Sequence, residues 1–145
     1  MPSLTIFLDA SVILSGLASP CGGSGKLFVA ANRKKLIVLT TPRVIEEVDR
    51  HLDKLHIAPD QLHRLLSDKI VRLVADPNEE TIKKFRRIIK DPDDAHVLAG
   101  AVMSGADLLL SLDKKHILAP NVEKALRPMS VKSPKSFWRE LQKKM

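Results

Sequence analysis

The chain has 145 residues, 44% of them hydrophobic, which suffices for one domain with its own core and is too apolar for a disordered segment. Lys and Arg total 24 against 17 Asp and Glu, a net charge of +7; this balance suits a nucleic-acid substrate and equally a plain basic surface. Four Phe, one Trp and no Tyr argue against an aromatic stacking platform for single strands, and the single Cys21 excludes an internal disulfide framework and a Cys-rich zinc site.

The apolar start (residues 1–18) lacks a basic leader and is interrupted by Asp9. It reads as neither signal peptide nor membrane span, and a cytoplasmic location is expected. Leu4 to Leu8 is an apolar run with no Gly or Pro, the pattern of a central strand buried on both faces. Asp9 ends it, and Ala10 to Leu14 opens a helix. A carboxylate at the C-terminal end of a strand is where open α/β sheets bind ligands; the competing reading is that Asp9 or Ser11 only caps the helix. Pro20 to Gly25 reads as a loop. Lys26 to Lys35 follows as a helix with Leu27, Phe28 and Ala31 inward, and Leu36 to Leu39 as the second strand.

Thr41-Pro42 is a cap followed by Pro at the first helical position. The helix to about Ile57 carries an apolar stripe of Val44, Ile45, Val48, Leu52 and Leu55. Glu47 falls at its flank, about 100° from the centre, whereas Glu46 falls about 150° away and should face solvent. Geometry thus favours Glu47 if either acid is functional; the competing reading is a solvated pair that suits the helix dipole. Ala58-Pro59-Asp60 breaks the chain, and Gln61 to Asp68 is helical. His51, His56 and His63 show no ligand spacing. Ile70 to Val74 is the third strand and 76–78 a turn. Glu79 to Ile89 is a helix bearing Lys83, Lys84, Arg86 and Arg87, a solvated face that becomes a phosphate-binding candidate if carboxylates lie near it.

Asp91-Pro92 looks like a cap and first-turn Pro, which makes Asp93 and Asp94 the second and third helical residues. At roughly 100° per residue, Val97, Leu98, Ala101 and Val102 fall within about 80° of Asp94, so Asp94 sits on the apolar face. First-turn acids stabilise helices, which explains Asp93; a core-facing carboxylate is costly without compensation. Gly100 and Gly105 should permit close packing on the sheet. Leu108 to Leu110 is the fourth strand, and Ser111 and Asp113 share a face if the strand extends that far. Lys114, Lys115 and His116 follow. Residues 117–119 start a helix or loop, 129–131 a last strand, and Pro134 to Leu141 a helix ending in a frayed tail at 143–145. Helices alternating with wholly apolar strands predict a three-layer α/β/α fold with a mainly parallel sheet.

Asp9, Glu47, Asp94 and Asp113 would meet at the C-terminal edge of such a sheet. Four close carboxylates need cations to remain ionised, and hard oxygen ligands favour Mg²⁺ or Mn²⁺ over zinc. Such ions activate water and stabilise a leaving oxygen at phosphorus. Ser111 could position a water or phosphate oxygen, and nearby Lys and Arg would hold a nucleic-acid backbone. The chemistry is that of a metal-dependent phosphodiesterase.

LDASVILSGL (8–17), TPRVIEEV (41–48), DPDDAHVLAGAVMSGAD (91–107) and LLLSLDKKHI (108–117) together resemble the PIN-domain family. Its small stand-alone VapC-like members, toxin ribonucleases of toxin–antitoxin pairs, are the nearest in pattern. The resemblance implies a single domain with a sheet of about five parallel strands, and Mg²⁺- or Mn²⁺-dependent hydrolysis of single-stranded RNA. It assigns metal-holding, catalytic roles to Asp9, Glu47, Asp94 and Asp113, with Ser111 beside them. Ser11 matches a small polar position next to the first Asp, and Asp107 an acidic position of more structural role. Lys83, Arg86, Arg87, Lys114 and Lys115 become weak candidates for nucleic-acid contact. A small antitoxin partner and a homodimer are implied as well. One departure is Leu112, where the family often has Gly, which puts the placement of Asp113 in question. Rival readings are an RNA-processing or DNA-acting PIN nuclease, a non-catalytic nucleic-acid-binding PIN module, and a receiver- or phosphatase-like α/β protein; the last would place paired acids after strand one.

Overall fold

The first strand run is apolar apart from Thr5, and its last three residues, Ile6 to Leu8, have to be covered on both faces. In a computed structural model, which describes residues 3–144, β1 (Leu4–Leu8) is the middle strand of a five-stranded parallel sheet, and Ile6, Phe7 and Leu8 are wholly buried. The order is β3-β2-β1-β4-β5, with β2 at Leu36–Thr40, β3 at Val71–Leu73, β4 at Leu108–Leu110 and β5 at Ser130–Lys132. Register pairs Phe7 with Leu39 on one side and Leu109 on the other.

The helices are α1 (Ala10–Ala18), α2 (Gly23–Asn32), α3 (Pro42–His51), α4 (Pro59–Ser67), α5 (Glu79–Arg86), α6 (Ala95–Ser104), α7 (Pro120–Leu126) and α8 (Pro134–Lys143). Right-handed crossovers put the helices of β1→β2→β3 on one face and those of the long β3→β4 return on the other. The packing agrees: α1 contacts α2 and α3, α8 contacts α2, and α5 packs on α6, which lies against β1 and β2. The expected three-layer α/β/α architecture is thus the observed one. The chain steps from β1 to β3 in one direction and then returns to the opposite side of β1. Connections from the adjacent strands β1 and β4 therefore diverge, which opens a crevice at their C-terminal ends.

Several boundaries differ from the sequence expectation. The Pro20–Gly25 segment is loop only as far as Gly22, because α2 begins at Gly23; tertiary support outweighs poor glycine propensity, with Trp138 Nε1 donating to the Gly23 carbonyl at 2.8 Å. Helix α3 ends at His51 and passes into a 3-10 turn (Asp53–Leu55), so Leu55 leaves the stripe and is exposed. Gly100 does pack closely: a Cβ there would lie 3.1 Å from Phe7 Cζ and 3.2 Å from Thr41 Cγ2. Gly105 serves differently. It has open space around it and a φ of +73°, and it ends α6 in the left-handed conformation. The tail expected at 143–145 is helical to Lys143; Met145, like Met1 and Pro2 of the apolar start, lies outside the described residues. Among the described residues no single helix is long and apolar enough to cross a membrane.

Candidate metal centre

Both strands that border the crevice end in acids, and the backbone dictates how these are held. Asp9 follows β1 as the N-cap of α1, with Oδ1 accepting from Val12 N at 3.2 Å. Capping is therefore real, and it is not all that Asp9 does. The same Oδ1 accepts from Ser11 Oγ at 2.6 Å, and Oδ2 accepts from Ser111 Oγ. Each serine in turn accepts a backbone N–H from the turn after β4: Leu112 N to Ser11 Oγ at 3.1 Å and Asp113 N to Ser111 Oγ at 3.0 Å. Three of the roughly four acceptor positions of the carboxylate are thus taken, and one remains on Oδ2. Asp9 is only 5% exposed. Burial pushes its carboxyl up to about 6; the serine and Val12 hydrogen bonds oppose this, and the Glu47 charge adds to it.

Ser111 is fully buried and gives its hydroxyl to Asp9. In this structure it orients a carboxylate, a role the sequence reading did not give it. Leu112 supplies the turn without glycine. Its φ is not positive, and its side chain points to solvent at 43% exposure. Asp113 is accordingly well placed, with Oδ1 accepting from Lys115 N at 3.0 Å and His116 N at 2.9 Å.

Asp94 arrives from the other side. The segment after Asp91 is a 3-10 turn (Pro92–Asp94) capped by the Asp91 side chain, which accepts from Asp93 N at 3.0 Å, and α6 begins only at Ala95. Asp94 is thus the N-cap position of α6 and not a third helical residue. The stripe assumed for it also fails at Val102, which is 40% exposed, while residues 95–101 are buried all round. The half-buried Asp94 carboxyl is pushed up to about 6, first by desolvation and then by the charges of Asp91, Asp113 and Glu47; His116 opposes them. His116 Nδ1 lies 3.7 Å from Asp94 Oδ2 and 3.4 Å from Asp113 Oδ2. Ligand atoms of Asp91, Asp94 and His116 all fall within 4.8 Å of one another, the one such trio among the described residues.

Glu47 is half-buried on α3 and Glu46 is exposed, so the helix phase read from the stripe holds. Its charge acts on both Asp9 and Asp94. Asp107 lies at the opposite end of the sheet, where Oδ2 accepts from Thr5 N at 2.9 Å. Lys83, Arg87, Lys114 and Lys115 are exposed, and Arg86 is exposed too but pairs with Glu79 at 2.9 Å. Sequence reading missed His116 and the second role of Asp91. The available signal was Asp113-x-x-His116 at a strand end, where an Asp that caps its own turn carries the third residue back beside it.

The comparisons with known proteins bear on what this acidic crevice belongs to. The PIN domain family model matches residues 5–115, which include all four carboxylates. The chain belongs to the PIN-domain family. No curated protein matches it. Among solved structures, that of PAE2754 from Pyrobaculum aerophilum is similar in fold, with a TM-score of 0.61, 17% identity, and 94% of each chain covered. In this PIN domain a clustered acidic and histidine triad is consistent with a metal-binding catalytic site. The donors fit a hard divalent ion: carboxylate oxygens with one imidazole, and two carboxyls raised to about 6, chiefly by burial and further by neighbouring acids.

Proposed function

We propose that this PIN domain is a metal-dependent endoribonuclease that hydrolyses phosphodiester bonds in single-stranded RNA, with Mg²⁺ or Mn²⁺ as its ion. The observation that carries the reading is the gathering of acids at the switch-point crevice: Asp9 is tied through Ser11 and Ser111 to the turn that carries Asp113, and Asp94 and Asp113 lie 3.7 and 3.4 Å from the same His116 Nδ1. A fold that gathers uncompensated acids where α/β sheets bind ligands is built to receive cations. Asp9, Glu47, Asp94 and Asp113 would hold the ion, with Asp91 and His116 at the rim. When bound, it supplies a more acidic water and charge stabilisation at phosphorus.

The chain's own residues do the rest. Ser11 and Ser111 hold the Asp9 carboxylate in place and leave one acceptor position on Oδ2 untaken. The N–H groups of residues 115 and 116 hold Asp113. Lys114 and Lys115 lie directly after Asp113 and are exposed, so they suit a strand's phosphates without reading its sequence.

For the physiological setting we propose the toxin half of a toxin–antitoxin pair, dimeric and silenced by a small partner protein; the resemblance to the stand-alone members supports it. The test is cleavage of labelled single-stranded RNA, double-stranded RNA and DNA with Mn²⁺, Mg²⁺ or EDTA, beside an Asp9→Ala/Asp94→Ala variant. Metal-dependent RNA cleavage that the variant lacks is expected. DNA cleavage would reassign the substrate, and absence of both cleavage and metal binding would leave a non-catalytic binding module.

A further inference from the structure

A second cleft adjoins the acidic crevice and shares Glu47 with it. It is lined by Arg43, Glu46, Glu47, Arg50, Asp93 and His96, and holds about 260 Å³, close to the roughly 300 Å³ at which small-ligand clefts begin. It is polar and carries both signs. That mixture is wrong for a phosphate, which would want cations alone, and right for a group that presents donors and acceptors on separate edges.

His96 points to a ligand independently. The residue is 5% exposed, and its Nδ1 is the one buried side-chain nitrogen or oxygen without a hydrogen-bond partner among the described residues. Such an atom is costly unless a partner arrives. Neighbouring groups are held in place: Asp93 by its N–H to Asp91 Oδ1 at 3.0 Å, and Arg43 by its N–H to Asp76 Oδ1 at 3.0 Å. The arginines, by contrast, have no side-chain ion pair among the described residues.

We propose that this cleft is a base-reading subsite that takes an extruded guanine of the substrate strand. Arg43 and Arg50 donate to its O6/N7 edge, Asp93 accepts from N1–H and the exocyclic amine, and the His96 imidazole packs on or bonds to the ring. Guanine is the base with two acceptors on one edge and two donors on another, which a guanidinium and a carboxylate each meet bidentately. Adenine at its N6/N7 edge asks for Asn or Gln, and the cleft has neither. Bases of single strands are read in this way, splayed out and bonded on their open edges. The proposal rests on the nuclease reading above and adds sequence preference to it.

The experiment follows the His96 imidazole signals by NMR in the full chain, without metal, during titration with GMP, AMP, CMP, UMP and inorganic phosphate. Saturable shifts are expected with GMP, at an affinity roughly tenfold or more above that of the other three. Arg50→Gln and Asp93→Asn should each bring the four affinities together, with folding checked by the amide spectrum. Equal shifts with all nucleotides and with phosphate would overturn the proposal in favour of a backbone contact, and no shift with any would overturn it outright. A parallel Mn²⁺ cleavage map on mixed-sequence RNA separates the two readings. Cuts at a fixed offset from guanines support the subsite, whereas cuts without base preference refute it and leave the nuclease standing. GMP binding without any RNA cleavage refutes the nuclease and leaves base binding standing.

Discussion

Replacing Asp9 with Asn should make the metal-free protein more stable at neutral pH. Burial moves the Asp9 carboxyl from 3.8 to about 6, a displacement worth roughly 3 kcal/mol. The folded carboxyl holds its proton more tightly than the unfolded one. This contribution is therefore fully present below about pH 4 and is lost as pH climbs to about 6. Asn cannot ionise. Its oxygen can still accept from Ser11 and Val12, but its amide must face Ser111, whose hydroxyl then loses its acceptor at a cost of about 1 kcal/mol. The balance is a gain of roughly 2 kcal/mol at pH 7.5 and a loss of roughly 1 kcal/mol at pH 4. Urea unfolding in EDTA across pH 4 to 8 measures both. Mn²⁺ at a hundredfold excess over its Kd should then stabilise the parent by about 2.7 kcal/mol and the variant by less. A variant less stable than the parent at pH 7.5, or a difference that does not change between pH 4 and 6, would refute the argument that Asp9 is a desolvated charge awaiting a cation.

Asp94→Asn should bring metal-dependent RNA cleavage to background while the far-UV spectrum stays native; retained cleavage would remove Asp94 from the site. Ser111→Ala should lower cleavage by roughly 10- to 100-fold, because Asp9 loses the hydroxyl that orients it; single-turnover rates at saturating metal report this. Glu47→Gln should impair cleavage and Asp49→Asn, exposed on the same helix, should not; the opposite ranking would contradict the phase of α3. Gly100→Ala should destabilise by about 1–3 kcal/mol, since its methyl meets Phe7 and Thr41, as read from the urea midpoint.

The fold was legible because the cores of β1, β2 and β4 are apolar runs, and because Thr41-Pro42 marks the start of the helix that follows β2. Glu47 was legible for a related reason: Val44 and Val48 are both buried and fix the helix phase around it. Asp94 was placed in the right region for a partly wrong reason. A periodicity argument assumes α geometry, and the Pro92–Asp94 turn is 3-10, so angles carried through it drift and sweep in Val102. The serine bridges could not be read at all, whereas His116 had a local signal in its spacing from Asp113. The bridges depend on two chain turns about a hundred residues apart meeting across one crevice, and no local pattern encodes that distance. His96 was hidden in the same way, being one polar residue inside a helix buried on every side.

Asp9 and Asp107 close the two ends of one seam. At one end Asp9 N donates to Leu110 O at 3.4 Å and its side chain takes the Ser111 hydroxyl; at the other, Asp107 accepts from Thr5 N and donates to Thr5 O at 2.8 Å. A strand pair fastened at both ends cannot unzip from either. The amides of this seam should exchange with solvent only through global unfolding, whereas those of the 3-10 turn at 92–94 and of the loop at 112–116 exchange through local opening. The Asp9 side of the crevice is therefore fixed to the centre of the molecule.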